Sequence, residues 1–167
     1  ILDQPKAKSS RVAKAVNGAK TGGGAVSAAA PAAASGAFTP PEVAKLYSFP
    51  AGLDGRGQCV AIIELNDFDP QHKPTGTGFA LADLTAYFTS LGLATPSVTA
   101  VGVASDNSSG ANVPGPDANT DGEVMLDIEV AGAVAPGASI AVYFALNTDN
   151  GFLAALSAAL HDTVRKP

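Results

Sequence analysis

Continuous apolar stretches alternate with stretches of helically spaced apolar residues from residue 38 onward. The continuous stretches are rich in β-branched residues and bounded by turn residues, which is typical of strands buried in a parallel sheet. They cover residues 58–65, 97–104 and 139–145. The intervening pattern, with apolar residues three and four apart, predicts helices beginning after Thr39 and over residues 81–91, 122–134 and 150–161. Strands alternating with helices predict an α/β, doubly wound fold with a mainly parallel sheet.

Capping residues support the ends of these helices. Thr39 precedes two prolines and Glu42, which is an N-terminal signal, while Gly92 and Pro136 stand where helices end. The polar stretches 66–78 and 105–119 predict loops. No strand follows the last helix, so the sheet is expected to be incomplete in this chain. That helix is expected to turn its large apolar residues inward: Phe152, Leu153, Leu156 and Leu160.

The first 37 residues lack the pattern of a folded domain. They contain a glycine run at 22–24 and an alanine-rich stretch at 28–34, which are typical of a linker. They have neither an initiator Met nor the continuous apolar segment of a secretory signal, so the chain is expected to begin inside a longer precursor. We therefore predict a prodomain tail or linker over residues 1–37 and a folded part over residues 38–167.

Charge divides the chain at the same point. Residues 1–37 carry five basic residues and one acidic residue, a formal charge of +4, whereas residues 38–167 carry a formal charge of −9. So acidic a folded part is poorly suited to binding nucleic acid or an anionic membrane. No apolar run approaches the length that spans a bilayer. The charge suits a protein that works in acid, where many of its carboxylates are neutral.

Cysteine and histidine are too scarce for the commonest metal and disulfide sites. Cys59 is the single cysteine and lies within an apolar strand, where cysteine is typically an inert core residue. His72 lies in a polar loop, and His161 lies near a helix C-terminus, where a cationic imidazole favours the helix dipole. The glycines of 55–57 precede their strand rather than follow it, which argues against a dinucleotide-binding loop.

Two carboxylates four residues apart are the strongest candidates for chemistry. Glu123 and Asp127 lie on one face of the predicted helix, with Cβ atoms about 5–6 Å apart. Like charges at this spacing disfavour the helix, and a close carboxyl pair shares protons, so one pKa rises as the other falls. That arrangement suits a general base in acidic solution. The alternative is an ordinary solvated helix face.

A third carboxylate, Glu64, lies near the C-terminal end of the first predicted strand. In open α/β sheets, sites assemble at the carboxyl ends of the strands, so Glu64 is expected near such a site. The alternative is that the strand has simply reached solvent at this residue.

Several collinear stretches of residues 38–167 resemble the catalytic domain of the sedolisin family, the serine-carboxyl peptidases, and its kumamolisin-like branch most closely. These stretches are 49–55 (FPAGLDG), 57–64 (GQCVAIIE), 115–117 (GPD), 121–123 (DGE), 126–132 (LDIEVAG), 135–138 (APGA) and 140–144 (IAVYF). The resemblance implies a subtilisin-like α/β fold of which this chain is the N-terminal half, and a Ser-Glu-Asp triad. Glu123 matches the general base, Asp127 matches the residue that orients it, and Glu64 matches an additional Glu that extends the carboxyl network.

The resemblance also implies parts that this chain does not contain. The nucleophilic serine, the aspartic acid of the oxyanion hole and a calcium site belong to the absent C-terminal half. It further implies an N-terminal prodomain removed by self-cleavage, secretion into an acidic environment, and protein or peptide substrates. A carboxyl base fits acid chemistry because at about pH 4 a histidine is protonated, whereas a Glu with a pKa of about 4.3 is poised to accept a proton.

Two other functions remain open from the residues. Glu123 and Asp127 could serve a glycosidase, although the chain has no tryptophan to stack on sugars. Alternatively, the domain is a catalytically inactive, peptidase-like module whose carboxylates bind calcium or a protein partner.

Overall fold

The computed structural model describes residues 37–71, 73–115 and 118–167. Residues 1–36, which hold all but one residue of the predicted linker, lie outside the described residues, as do His72, Pro116 and Asp117. In chain order, the elements are α1 (Pro40–Leu46), β1 (Cys59–Phe68), β2 (Pro74–Thr75), α2 (Leu81–Ser90), β3 (Val98–Gly102), β4 (Ala104–Ser105), β5 (Ser108–Ser109), α3 (Ala118–Val134), β6 (Ser139–Leu146) and α4 (Asp149–Leu160).

The main sheet has the strand order β2-β1-β6-β3, and β6 is central to its parallel part. β6 pairs in parallel with β1 on one side and with β3 on the other. β2 pairs antiparallel with the far end of β1, at Asp67 and Phe68. Along residues 59–66, the outer edge of β1 pairs with no strand in the described part of the chain.

Helices cover both faces of this sheet. Alternate residues of β6 point to opposite faces, so the strand contributes to two cores. On one face, α2 and α3 pack on the sheet through Leu84, Phe88, Val124 and Ile128, against Ile62, Ile140, Val142 and Phe144. On the other face, α4 packs through Ala155 and Ala159 against Ala141, Tyr143 and Ala145. This arrangement confirms the predicted doubly wound α/β class with a mainly parallel sheet.

The boundaries differ from the prediction mainly where loops were expected. β1 runs on to Phe68, and α3 begins at Ala118. β2 lies within a predicted loop, and the β4–β5 hairpin begins at the last residue of the second predicted strand and extends into the loop that follows it. These polar segments find backbone partners that are distant in sequence. Val113 N–H donates to Thr77 O (3.1 Å), and Asn147 N–H donates to Asn66 O (2.8 Å). Composition alone does not reveal such partners.

The prediction for the inner face of α4 is wrong. Phe152, Leu153, Leu156 and Leu160 are all exposed, and the buried residues are Gly151, Ala155 and Ala159. The helix lies so close to β6 that a Cβ at Gly151 would stand 2.9 Å from the carbonyl carbon of Leu146. Only small side chains fit such an approach, so the leucines are turned outward.

Candidate active site

β1 places Glu64 on the sheet face that α2 and α3 cover. Residues Ile62, Glu64 and Asn66 alternate with more exposed neighbours and point to this face, because side-chain direction in a strand has a period of two. Glu64 is only 7% exposed. Its Oε1 has no hydrogen-bond partner among the described residues. A buried carboxyl oxygen without a partner costs free energy, so Glu64 does not serve stability at this position and is a candidate for a functional role.

α3 places Glu123 and Asp127 one turn apart. The fully buried Val124 and Ile128 fix the rotation of this helix against the sheet, so the residues just before them emerge at the margin of the packed face. Glu123 and Asp127 are both exposed. Two apolar side chains of the same helix are exposed beside them, Leu126 at 56% and Val130 at 42%.

Electrostatics link the three predicted site residues into one carboxyl cluster. The pKa of Glu64 is raised from 4.5 to about 7, first by burial and then by repulsion from Asp127 and Glu123. Partial desolvation of its carboxyl group also raises the pKa of Asp127 above its ordinary value, although the residue as a whole is exposed. Because the neutral form of Glu64 is favoured, the cluster holds a proton at Glu64, while the Glu123 side chain reaches solvent.

Hydrogen bonds beside this cluster join two loops, one that follows β1 and one that leads into α3. Asn66, fully buried on β1, donates from Nδ2 to Thr77 O (3.2 Å) and accepts from Ala111 N–H at Oδ1 (2.9 Å). Asn112 accepts from Phe79 N–H (2.8 Å) and donates to Phe79 O (3.1 Å). The sequence prediction missed both asparagines because composition marked their surroundings only as polar loops.

A second acidic group lies between α2 and α3 and was not predicted. Burial first, and repulsion from Asp83 second, raise the pKa of Glu129 from 4.5 to about 7. Burial and the charge of Glu129 raise the pKa of Tyr87 above its ordinary value. Glu129 belongs to the same acidic stretch as Asp127, but its neighbour Asp83 is remote in sequence, so spacing gave no signal of this contact.

The histidine and the cysteine that the structure describes lie away from the carboxyl cluster and have roles in packing or helix capping. His161 is the C-terminal cap of α4, and its Nδ1 lies 2.8 Å from Ser157 O. Cys59 is a free cysteine packed beside the core under α4. Within residues 37–71, 73–115 and 118–167, no group of three or more His, Cys, Asp or Glu side chains is arranged to hold a metal ion.

No helix in the described part of the chain is long and apolar enough to cross a bilayer.

The chain is similar in sequence to two curated peptidases. Kumamolisin from Bacillus sp. (strain MN-32) is 53% identical over 136 residues, which are 81% of this chain and 22% of kumamolisin. Tripeptidyl-peptidase sed5 from Aspergillus fumigatus (strain ATCC MYA-4609 / CBS 101355 / FGSC A1100 / Af293) is 32% identical over 122 residues, which are 71% of this chain and 20% of that protein. The chain thus spans about a fifth of the length of these relatives. No protein-family model matches it.

A solved structure has a similar fold. Pseudomonas sedolisin (serine-carboxyl proteinase), complexed with two molecules of pseudo-iodotyrostatin, aligns with a TM-score of 0.54 and 23% sequence identity. The alignment covers 75% of this chain and 32% of that chain. At this identity the likeness concerns the fold, and it confirms the subtilisin-like α/β class that the sequence resemblance implied.

Proposed function

Because this chain belongs to the sedolisin family, on its kumamolisin-like branch, we propose that it supplies the acid–base part of a serine-carboxyl endopeptidase. Glu123 is the general base and Asp127 orients it. Glu64 extends the carboxyl network and holds a proton in acid. The nucleophilic serine and the aspartic acid of the oxyanion hole come from polypeptide that this chain does not contain.

The observation that carries this proposal is the burial of Glu64 against two further carboxylates. In the proposed reaction, the Glu123 carboxylate accepts the serine proton as Oγ attacks the carbonyl carbon of the peptide bond. Protonated Glu123 then gives that proton to the leaving amine, and an acyl-enzyme remains. A water molecule then gives a proton to Glu123 as its oxygen attacks the acyl carbon. The bond between the acyl carbon and Oγ breaks, and Glu123 returns the proton to Oγ, which restores the serine. Asp127 fixes the direction of the Glu123 carboxyl group throughout.

The surface around the carboxyl cluster supports the proposal that a second part of the domain packs against it. Leu126 and Val130 are exposed apolar residues on the helix that carries Glu123 and Asp127. The outer edge of β1 along residues 59–66 presents backbone groups with no strand partner in the described part of the chain. Unpaired edges and exposed apolar faces are normally covered in folded proteins. We propose that the C-terminal part of the catalytic domain covers them.

The remaining features of the resemblance are also proposed for the intact protein. They are a calcium site in the C-terminal part, an N-terminal prodomain, protein or peptide substrates, and secretion into an acidic environment. Residues 1–37, with a charge of +4, join the prodomain to the domain of −9. Attraction between them would weaken as carboxylates become protonated, so this segment is either an acid-sensitive tether or a simple spacer. Replacing the five basic residues distinguishes the two. If the segment is a tether, the pH dependence of activation should shift, and if it is a spacer, the pH dependence should stay unchanged.

The decisive experiment replaces Glu123 in the intact polypeptide. Glu123→Gln keeps the size of the side chain and removes the base, so kcat/KM on a peptide substrate should fall by at least about 10³-fold at the acid optimum. Glu129→Gln is the matched control, because it makes the same change on the same helix outside the carboxyl cluster, and it should leave kcat/KM near wild type. Wild-type turnover by Glu123→Gln would refute the proposed role.

An inhibitor separates the peptidase from its alternatives. A serine-directed or aldehyde reagent should modify the intact protein in acid and abolish peptide hydrolysis. A glycosidase, or an inactive module that binds calcium or a partner, would not be labelled in this way.

A further inference from the structure

One carboxylate near the cluster points away from it. Asp121 lies in the first turn of α3, two residues before Glu123. At 3.6 residues per turn, Glu123 and Asp127 lie roughly 200° and 240° around the helix from Asp121. Asp121 therefore faces the loops behind the helix, while the proposed base and its partner face the opposite side.

Both carboxylate oxygens of Asp121 bind backbone N–H groups of those two loops. Oδ1 accepts from Gly78 N–H (3.0 Å), in the loop that follows β1 and β2. Oδ2 accepts from Gly115 N–H (2.8 Å), in the loop that leads into α3. Charge-assisted hydrogen bonds of this kind are stronger than those between neutral groups, so the carboxylate holds three segments at one point.

Neighbouring contacts show how closely these loops are joined. A Cβ at Gly115 would stand 3.0 Å from the Cα atom of Gly76, so the two backbones touch where the carboxylate binds. Thr120, the residue before Asp121, donates from its hydroxyl to Gly76 O. The loop held by Thr120 and Asp121 is the one that Asn66 binds through Thr77 O.

These bonds connect the two elements that carry the site. Glu64 and Asn66 lie on the same face of β1, and Asn66 holds the loop at Thr77. Asp121 holds the next residue of that loop and also sets the first turn of α3. The strand that carries Glu64 and the helix that carries Glu123 are therefore connected through short backbone segments, each held by a buried or half-buried hydrogen bond.

We infer that Asp121 is a positioning residue, whose carboxylate fixes the first turns of α3 so that Glu123 meets Glu64 and the reacting groups in a productive geometry. This inference rests on the proposed function of Glu123. Asp121 itself touches neither substrate nor the transferred proton. Its effect falls on the chemical step, because a base displaced by about 1 Å can lower a rate by about 10²-fold.

The test measures kcat and KM separately for Asp121→Asn in the intact polypeptide, with concentrations set by active-site titration. The amide keeps one acceptor and places a donor against a backbone N–H, so one of the two bonds is lost. We expect kcat to fall about 10- to 100-fold while KM stays within about threefold, because an interaction that acts only in the transition state changes kcat. Asp149→Asn, the same change in the first turn of α4, should leave kcat near wild type.

Asp121→Glu tests for rescue. It keeps both acceptors on a side chain one methylene longer, so its kcat should lie between that of Asp121→Asn and wild type. If Asp121→Asn does not fold, Asp121→Glu takes its place, and a fall in kcat at constant KM would support the inference.

Two results would overturn the inference. The first is a titrated kcat for Asp121→Asn equal to wild type, which would mean that Asp121 acts only on stability. The second is failure of both variants to fold, which would assign Asp121 to folding. Glu123→Gln, measured in parallel, separates this inference from the proposed function: if Glu123→Gln retained activity, the proposed function would fail first.

Discussion

The buried carboxyl of Glu64 makes the stability of this protein depend on pH in a direction opposite to that of most acidic residues. Its pKa rises from 4.5 to about 7 in the folded protein, with burial as the largest cause. The unfolded chain therefore releases this proton near pH 4.5, and the folded chain holds it until about pH 7. Stability is thus at its fullest below pH 4.5 and is lost as the pH rises to about 7.

The size of the effect follows from the same values. At 1.36 kcal/mol for each tenfold change, a pKa that moves from 4.5 to about 7 corresponds to a loss of about 3 kcal/mol of unfolding free energy. Glu64 is 7% exposed, so solvent screens its charge little. Part of the loss is repulsion from Asp127 and Glu123, and part is the cost of a charged group with a buried, unpartnered oxygen.

Glu64→Gln removes this titration and keeps the shape of the side chain. Urea unfolding of the intact protein, followed by circular dichroism across the pH range from about 4 to about 8, gives the free energies for wild type and variant. The variant should gain about 3 kcal/mol relative to wild type between the two ends of that range. Any constant cost of burying the amide appears equally at both ends and cancels.

Glu129→Gln is the informative control. The pKa of Glu129 is also raised to about 7, by burial and by Asp83, and Glu129 is half-buried rather than buried. Its replacement should stabilise the protein in the same direction by a smaller amount, because solvent screens part of the charge. Only Glu64→Gln should also move the pH profile of peptide hydrolysis. A gain for Glu64→Gln below about 1 kcal/mol, the scale of an exposed charge pair, would refute the electrostatic reasoning.

Two further predictions concern packing and a buried hydrogen bond. Gly151→Ala should destabilise the protein by about 1–3 kcal/mol, because the new methyl group meets the backbone of Leu146. Gly122→Ala is the control, because a Cβ at that position meets nothing within 4 Å, and it should leave the melting temperature unchanged or slightly raised. Equal melting temperatures for the two variants would contradict the close approach of α4 to β6. Tyr143→Phe removes the hydroxyl that donates to Asp162 (2.8 Å) and should cost about 0.5–1.5 kcal/mol in urea unfolding. Asp162 keeps its ion pair with Arg165 (2.7 Å) in this variant, so its carboxylate is not left without a partner. A loss above about 3 kcal/mol would therefore contradict the assignment of a single hydrogen bond to the Tyr143 hydroxyl.

The sequence predicted the order of the elements and the candidate carboxylates, because both depend on local patterns. Apolar runs and helical spacing located β1, β6, α2 and the core of α3 to within a few residues. Gly92 has a positive φ of 69° directly after the last turn of α2, as its position after the helical pattern indicated. The acid pair at 123 and 127 was visible because its spacing matches one helical turn.

The tertiary structure decided what those residues do to one another. Hydrophobic spacing on α4 pointed its leucines inward, yet the distance between helix and sheet admits only glycine and alanine there. For Glu64 the sequence left a site residue and a strand residue at the edge of solvent as alternatives. The structure buries it, and its pKa is raised first by burial and then by Asp127 and Glu123 of α3. The contacts of Asn66 with Thr77 and Ala111, and that of Asp121 with Gly78, had no local signal, because these partners lie 11 to 45 residues away.

The sequence by itself determined that an apolar stretch contains one carboxylate and that a helix carries two more one turn apart, since periodicity and residue type are properties of the chain. Only the fold brought the strand and the helix together, because the separation of charges depends on packing between segments about 60 residues apart. Burial then raised the pKa of Glu64 beside Asp127 and the exposed Glu123. Burying a charge away from water costs free energy, and no local pattern of residues shows which positions the fold will bury.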